Sequence, residues 1–342
     1  MAKIYNAIGR LSEALPLSEK AYHLTKEVLG EKHPETLTSL NNLAAIYNGI
    51  GRLSEALSLF EKGYRLTKEV LGEKHPDTLK SMNNLAMLYN AKGRLSEALP
   101  LSEKVYRLTK EVLGEKHPFT LASMSNLALI YDSIGRLSEA LSLYEKGYRL
   151  RKEVLGDKHP ETLTSLNNLA AIYNDLGRLS EALSLLEKGY RLTEEVLGEK
   201  HPDTLTNLNN LATIYNDLGR LSEALPLSEK SYRLTKEVLG EKHPETLTNL
   251  NNLAVIYENI GRLSEALLLF EKGYRLTSEV LGEKHPSTLT SLDSLGVIYN
   301  KIGRLSEALP LFEKVYRLRK EVLGEKHIDT LMSLSNLAYS YQ

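Results

Sequence analysis

Apolar residues recur at helical spacing in two alternating stretches along the chain. In PETLTSLNNLAAIYN, residues 34–48, one helical face would carry Leu37, Leu40, Leu43, Ala44 and Tyr47. The following stretch, LSEALSLFEKGYRLTKEVL, has a second and longer apolar stripe made of Leu53, Ala56, Leu57, Phe60, Tyr64 and Leu71. No segment alternates with the period of a strand. The sequence therefore predicts an all-α fold built from a helix A and a helix B.

Short polar segments mark the ends of these helices. Pro34 suits the first turn of helix A, where its missing N–H is harmless. Gly51 and Gly72 are predicted to end helices A and B as C′ residues in the left-handed conformation. Two antiparallel helices of roughly 16 and 19 residues, joined by tight loops, then account for the whole repeating unit.

The helix pair recurs without insertion or deletion. A glycine followed by RLSEAL appears every 42 residues, at Gly9, Gly51, Gly93, Gly135, Gly177, Gly219, Gly261 and Gly303. We predict a single array over residues 1–342, in which residues 1–8 form part of a helix A and the sequence stops after another helix A at 342. No polar capping helix is visible, so we expect the chain to be a segment of a longer protein.

Helix B comes in two versions. Four copies contain a proline, at Pro16, Pro100, Pro226 and Pro310, and the other four contain a glycine five positions further on, at Gly63, Gly147, Gly189 and Gly273. The prolines fall within about the first two turns, so we expect a local kink without a break. Aromatic residues accompany three of the glycines, where three proline copies have serine, which indicates an exchange of volume in a packed layer.

The repeat resembles the tetratricopeptide signature W-x2-L-G-x2-Y followed by A-x3-F. The matching residues, with Leu in place of Trp and Ala in place of Gly, are Leu40, Leu43, Ala44, Tyr47, Ala56 and Phe60. The signature's closing proline would fall at Lys68, which departs from the pattern. The longer period, with ALPL, EVLGEKHP and LNNLA, is similar to the repeats of kinesin light chains and related bacterial proteins. The resemblance implies an α-solenoid, a right-handed superhelix of stacked antiparallel helix pairs that binds protein partners.

Composition narrows the possible partners. The chain has 43 Lys plus Arg against 44 Asp plus Glu, so no net basic charge favours nucleic acid or an anionic membrane. It has no apolar run of about 18 residues and no signal-peptide core in MAKIYNAIGR. It also has no cysteine, which fits a reducing compartment, so we expect a cytoplasmic protein.

Catalytic and metal sites are not indicated. One histidine per copy precedes the predicted helix A, at His33, His75, His117, His159, His201, His243, His285 and His327. Helices stacked about 8–10 Å apart hold equivalent atoms too far from one another to share an ion, so we interpret these histidines as structural. The SEAL serines have no paired histidine, and no phosphate-binding glycine motif occurs. We therefore expect that the chain is not an enzyme and binds neither a cofactor nor a metal ion.

The resemblance also implies where a partner would bind. Helix A lines the inner surface of tetratricopeptide superhelices, so the groove positions would be those of Thr38, Asn41, Asn42, Ala45, Asn48 and Gly49. Side-chain amides there can bind the backbone of an extended peptide, or they can instead bond a neighbouring helix. The candidate partner-binding residues are Asn41, Asn42, Asn83, Asn84, Asn126, Asn167, Asn168, Asn209, Asn210, Asn251, Asn252, Met87, Leu129, Thr213 and Val255.

Charge and chain ends complete the predicted function. The groove positions include Lys80 and Lys301 against the acidic Asp132, Asp175, Asp217, Glu258 and Asp293, so we expect a mildly acidic groove and a neutral to basic partner. We predict a non-catalytic protein–protein interaction scaffold that binds a peptide or protein segment in a concave groove. The alternative is a structural spacer or self-assembling element that stacks end to end through uncapped termini, with exposed apolar residues such as Leu334, Leu337 and Tyr341.

Overall fold

A computed structural model describes residues 11–341, and all regular structure within that range is helical. The A helices are α2 (Pro34–Gly49), α4 (Pro76–Ala91), α6 (Pro118–Ser133), α8 (Pro160–Asp175), α10 (Pro202–Asp217), α12 (Pro244–Asn259), α14 (Pro286–Lys301) and α16 (Ile328–Ser340). The B helices are α1 (Leu11–Leu29), α3 (Leu53–Leu71), α5 (Leu95–Leu113), α7 (Leu137–Leu155), α9 (Leu179–Leu197), α11 (Leu221–Leu239), α13 (Leu263–Leu281) and α15 (Leu305–Leu323). The predicted partial helix A at 1–8, and the repeat start at Gly9, lie outside the described residues.

The chain divides into two compact units, Met1–Val154 and Leu155–Gln342. In the first unit, α1 to α6 each pack against the next helix along the chain. In the second unit, α8 to α16 follow the same rule. The predicted all-α fold of repeating helix pairs is thus confirmed, whereas a single array over 1–342 stays a prediction.

The core of each repeat draws on three helices. In the first unit, Leu37, Leu40 and Leu43 of α2 pack with Tyr22 of α1 and Leu66 of α3. All five side chains are at most 7% exposed. Because the stripe of a helix A is covered by the helices B before and after it, neighbouring repeats share one apolar layer.

Each helix A begins with a histidine cap. The Nδ1 atom of His33 accepts a hydrogen bond from the backbone N–H of Glu35 at 3.3 Å, and Pro34 occupies the first helical turn. The same bond occurs at the other seven positions, from His75 to His327. The structural interpretation of these histidines is therefore confirmed.

The two glycine turns differ from each other. After α2, the N–H of Gly51 bonds the carbonyl of Asn48 and the N–H of Arg52 bonds that of Tyr47, which is the Schellman arrangement with Gly51 at φ 77°. Gly72 also has a positive φ, 84°, but its ψ of 163° is extended, and it is the C-cap residue itself. The C′ assignment of Gly72 was therefore wrong, because the chain leaves helix B extended and turns later, through the N–H of His75 to the carbonyl of Gly72.

Both versions of helix B form unbroken helices of equal length, 19 residues, whether or not they contain proline. Pro100 is the sixth residue of α5, so it forgoes one intrahelical bond, to the carbonyl of Ser96 in the first turn. In the glycine version, a Cβ added at Gly63 would lie 2.9 Å from Oδ1 of Asn41 on α2. In this copy a Cβ would push the amide of Asn41 aside, whereas a Cβ added at Gly273 would lie at an ordinary contact distance, 3.8 Å from Leu250.

Ion pairs from the loops after the B helices join each repeat to the next, and we call these ion pairs the loop clamps. Lys74, in the loop after α3, binds Glu111 of α5 at 2.5 Å. The adjacent Glu73 binds Lys104 of α5 at 2.6 Å and Lys68 of α3 at 2.9 Å. Hydrogen bonds from these two lysines lower the pKa of Glu73 to about 2. Equivalent pairs of lysines lower the pKa values of Glu115 and Glu241 to about 2 as well.

We predict that acid weakens these clamps. The three carboxyl groups have folded-state pKa values below their ordinary 4.5, so their stabilisation is present above that pH and is lost as the pH falls toward about 2. The urea midpoint should therefore drop between about pH 6 and about pH 3. A variant with Lys104→Gln, Lys146→Gln and Lys272→Gln should show a smaller drop. An equal drop in both proteins would contradict this account.

Candidate partner-binding face

Most of the candidate residues lie on the less buried side of the A helices, which we call the A face, although Asn41 and Asn167 also approach Gly63 and Gly189 of the B helices. It consists of the positions equivalent to Thr38, Asn41, Asn42, Ala45, Asn48 and Gly49. Asn42, Asn84 and Leu129 are exposed, and Asn209 is buried at 6% exposure. The other candidates are half-buried: Asn41, Asn83, Asn126, Asn167, Asn168, Asn210, Asn251, Asn252, Met87, Thr213 and Val255.

Some of the amides join consecutive A helices. Nδ2 of Asn126 donates to Oδ1 of Asn83 at 2.9 Å, which links α6 to α4. In the second unit, Asn252 donates in the same way to Asn209 at 3.2 Å. At these four positions the amide bonds a neighbouring helix, which was the alternative reading of the sequence.

Other amides on the A face make no such bond. Within the part of the chain that the structure describes, no side-chain hydrogen bond involves Asn42, Asn84, Asn168 or Asn210. Two amide oxygens, Oδ1 of Asn41 and Oδ1 of Asn167, are buried and also lack a donor within residues 11–341. Asn41 uses only its Nδ2, which donates to Oγ of Ser81 at 3.1 Å. The A face therefore keeps unused hydrogen-bonding capacity.

Clefts open between consecutive A helices. In the first unit a cleft of about 360 Å³ lies between α2 and α4, lined by Asn41, Asn42 and Asn84 among others. In the second unit, clefts of about 210 Å³ lie between α8 and α10 and between α12 and α14. The former is lined by Asn167, Asn210 and Thr213, and the latter by Asn251. Seven of the candidate residues thus line clefts.

The apolar candidates have different environments. Leu129 is 39% exposed on α6. Met87 and Val255 are half-buried and pack against core clusters of their own units. Thr213 donates its hydroxyl to the carbonyl of Asn209 at 3.1 Å and lines the α8–α10 cleft. Of these four, only Leu129 presents a largely free apolar side chain.

Charge on the A face is more localised than the sequence count suggests. Lys301 pairs with Glu258, and Lys80 pairs with Asp77 at 3.2 Å. Asp293 pairs at 3.2 Å with Arg319, a buried residue of α15 that the sequence analysis missed because it lies on helix B. Burial raises the pKa of Asp175. Acidic character therefore concentrates on α8 and α10, where Asp175 and Asp217 end their helices.

The repeats and their geometry agree with an independent match. The sequence matches the tetratricopeptide repeat over residues 1–69, 64–111, 77–153, 142–195, 161–237 and 203–279, and again over 288–329. The chain belongs to the tetratricopeptide repeat family. Tetratricopeptide repeats generally mediate protein–protein interactions, and proteins built from them are typically non-catalytic scaffolds.

Two crystal structures are similar to this tetratricopeptide repeat chain. One is a variant of a Podosopora anserina protein described as a kinesin light chain with nearly identical TPR-like repeats. It shares 32% sequence identity with this chain, with a TM-score of 0.50, and the match covers 60% of this chain and 97% of that one. The other is BtubC (BKLC) from P. vanneervenii, with 19% identity, a TM-score of 0.51 and coverage of 68% and 91%. The second likeness concerns the fold alone.

Two further findings concern the chain as a whole. No curated protein matches the sequence. None of the helices within residues 11–341 is long and apolar enough to cross a membrane.

We predict that the two kinds of amide respond differently to substitution. Asn126→Leu leaves Oδ1 of Asn83 without its donor and should lower the free energy of unfolding by about 1 kcal/mol. Asn42→Leu removes no bond and should change that free energy by less than about 0.5 kcal/mol. Urea unfolding of both variants measures the difference. Equal losses would mean that the Asn83–Asn126 bond does not support the stack.

Proposed function

We propose that this tetratricopeptide repeat chain is a non-catalytic binding module whose A face holds an extended segment of another protein. The observation that carries the proposal is the set of amides on this face that make no bond within the described residues, namely Asn42, Asn84, Asn168 and Asn210. A peptide backbone presents one donor and one acceptor per residue, which matches what a side-chain amide offers.

The clefts would add selectivity to this backbone recognition. Their linings mix apolar side chains, such as Leu37 and Leu247, with hydroxyl and amide groups. Such pockets accept alternate side chains of an extended segment, while the amides bind its backbone. Because the unpaired carboxylates concentrate on α8 and α10, we expect the bound segment to be neutral to basic.

The main prediction concerns the uncovered amides. A variant with Asn42→Arg, Asn84→Arg and Asn210→Arg should lose most of its binding to a random peptide library, because bulky side chains would cover the A face. The matched control carries Ser54→Arg, Ser138→Arg and Ser180→Arg, which adds the same charge at exposed positions on B helices. Enrichment of bound peptides, read by sequencing, measures binding, and circular dichroism checks folding.

The control variant should retain peptides that the wild-type chain retains. Equal retention by the A-face variant and the wild-type chain would refute the proposal. Failure of the wild-type chain to retain any peptide above background would refute it too.

One observation favours the second candidate function, end-to-end assembly. The last helix, α16, exposes apolar side chains that include Leu331 at 48%, Leu334 at 43% and Tyr341 at 64%. The corresponding faces of α10 and α12 are covered by the following helix B. A second copy of the chain could cover α16 through its own helix B.

Light scattering across protein concentration tests this assembly. If it occurs, the apparent mass should rise with concentration, and Leu331→Glu with Leu334→Glu should suppress the rise, because charge opposes burial of α16. A constant monomer mass at high concentration would count against assembly. Peptide binding by that monomer would leave the A-face proposal standing.

A further inference from the structure

The cleft between α8 and α10 has an unusual floor. Leu186 of α9 is buried at the position that holds Phe60, Tyr144 and Phe270 in the other three glycine copies of helix B. A cleft of about 210 Å³ is lined there by the apolar Ala170, Ala171, Leu186 and Ile214. This floor suits an aliphatic chain rather than a polar group.

Oxygen atoms surround the mouth of the same cleft. The polar lining consists of Asn167, Asn174, Asn210, Thr213 and Asp217, none of which is basic. Oδ1 of Asn167 is buried against Gly189 of α9, whereas Asn174 makes no side-chain hydrogen bond within the described range. The carboxylate of Asp217 receives one long bond, from Asn216 at 3.4 Å. The mouth therefore offers acceptors and a negative charge.

Two other interfaces of the second unit show which contact forms at the equivalent position between consecutive A helices. Between α10 and α12, Nδ2 of Asn259 donates to Oδ1 of Asn216 at 2.8 Å. Between α12 and α14, the ammonium of Lys301 pairs with Glu258, whose side chain is only 10% exposed. In both cases a donor at the end of the later helix A meets an acceptor on the earlier one.

The α8–α10 interface breaks this rule. Asp217 stands at the position of Asn259 and Lys301, so the later helix supplies a carboxylate instead of a donor. Asn174 stands at the position of Asn216 and Glu258 and remains without its usual partner. This interface thus has an oxygen acceptor on each helix and lacks the cation, Lys301, that completes the equivalent site two periods further on.

We propose that this cleft is a subsite for a lysine or arginine side chain of the bound segment. Its aliphatic stem would lie on Leu186 and Ile214, and its cationic head would reach the carboxylate of Asp217 and the amide oxygen of Asn174. Lys301 is the chain's own example of an ammonium at the equivalent place. This inference rests on the proposed binding function and specifies one side chain of the partner.

The test uses peptides retained by the wild-type chain from the random library. Lysine or arginine should be enriched at one position. Replacing that residue by norleucine, which keeps the stem and removes the charge, should weaken binding by about tenfold in fluorescence anisotropy. Against Asp217→Asn the same replacement should have little effect, because the charge that it loses no longer has a partner. Asp203→Asn, an equal charge change at the far end of α10, is the matched control and should behave as wild type.

Two further variants distinguish loss of the subsite from a general loss of protein stability. Asp217→Lys places an ammonium in the cleft, as Lys301 does, and Leu186→Phe fills its floor, as Phe60 does. Other repeats of the chain already carry lysine and phenylalanine at these positions. Both variants should abolish the preference for a basic residue while peptides still bind. Retained peptides without basic enrichment, or an equal norleucine penalty in Asp217→Asn and wild type, would overturn the subsite alone. Absence of any retained peptide would instead overturn the binding function.

Discussion

A helix A can bury its apolar stripe only between two helices B, and the rest of the structure follows from this constraint. The cluster around Leu40 includes Tyr22 from the preceding helix and Leu66 from the following one, so no single helix pair contains its own core. Burial of about 25 cal/mol per Å² of apolar surface then depends on the neighbouring repeat. The opposite side of helix A contributes less to this burial, and Asn42, Asn84 and Leu129 remain exposed on it.

The regular features of the fold could be predicted from the sequence because they depend on local pattern. The helix A that begins at Pro34 and the turn at Gly51 follow from hydrophobic period, proline and glycine. Three buried positions of helix B were missed, Gly63, Leu66 and Thr67, and two of them, Gly63 and Thr67, are not apolar by type. Thr67 is buried because its hydroxyl bonds the carbonyl of Gly63 within the same helix, which removes the usual cost of burying a polar group.

The candidate site was less predictable because it depends on contacts between residues far apart in the sequence. Amides that look alike in sequence differ in structure: Asn126 bonds another helix, whereas Asn42 bonds nothing in the described residues. Arg319 neutralises Asp293 from a helix that the groove count did not include. The α8–α10 cleft is lined by residues of two A helices and by Leu186 on a third helix. A sequence signal did exist there, since leucine replaces an aromatic residue only in that glycine copy, but its meaning required the packing.

The loop clamps have a consequence for the history of the gene. Lys74 reaches Glu111 and Lys116 reaches Glu153 over the same interval of 37 residues. If recombination removed or inserted one whole period, each new junction would meet the ionic partner that it requires. Gain or loss of one whole period would therefore leave this set of ion pairs intact. Matched pairs such as Asp293 with Arg319 and Gly296 with Phe312, where an added Cβ would lie 2.8 Å from the ring, are the exceptions, because a crossover between their members would leave a mismatch.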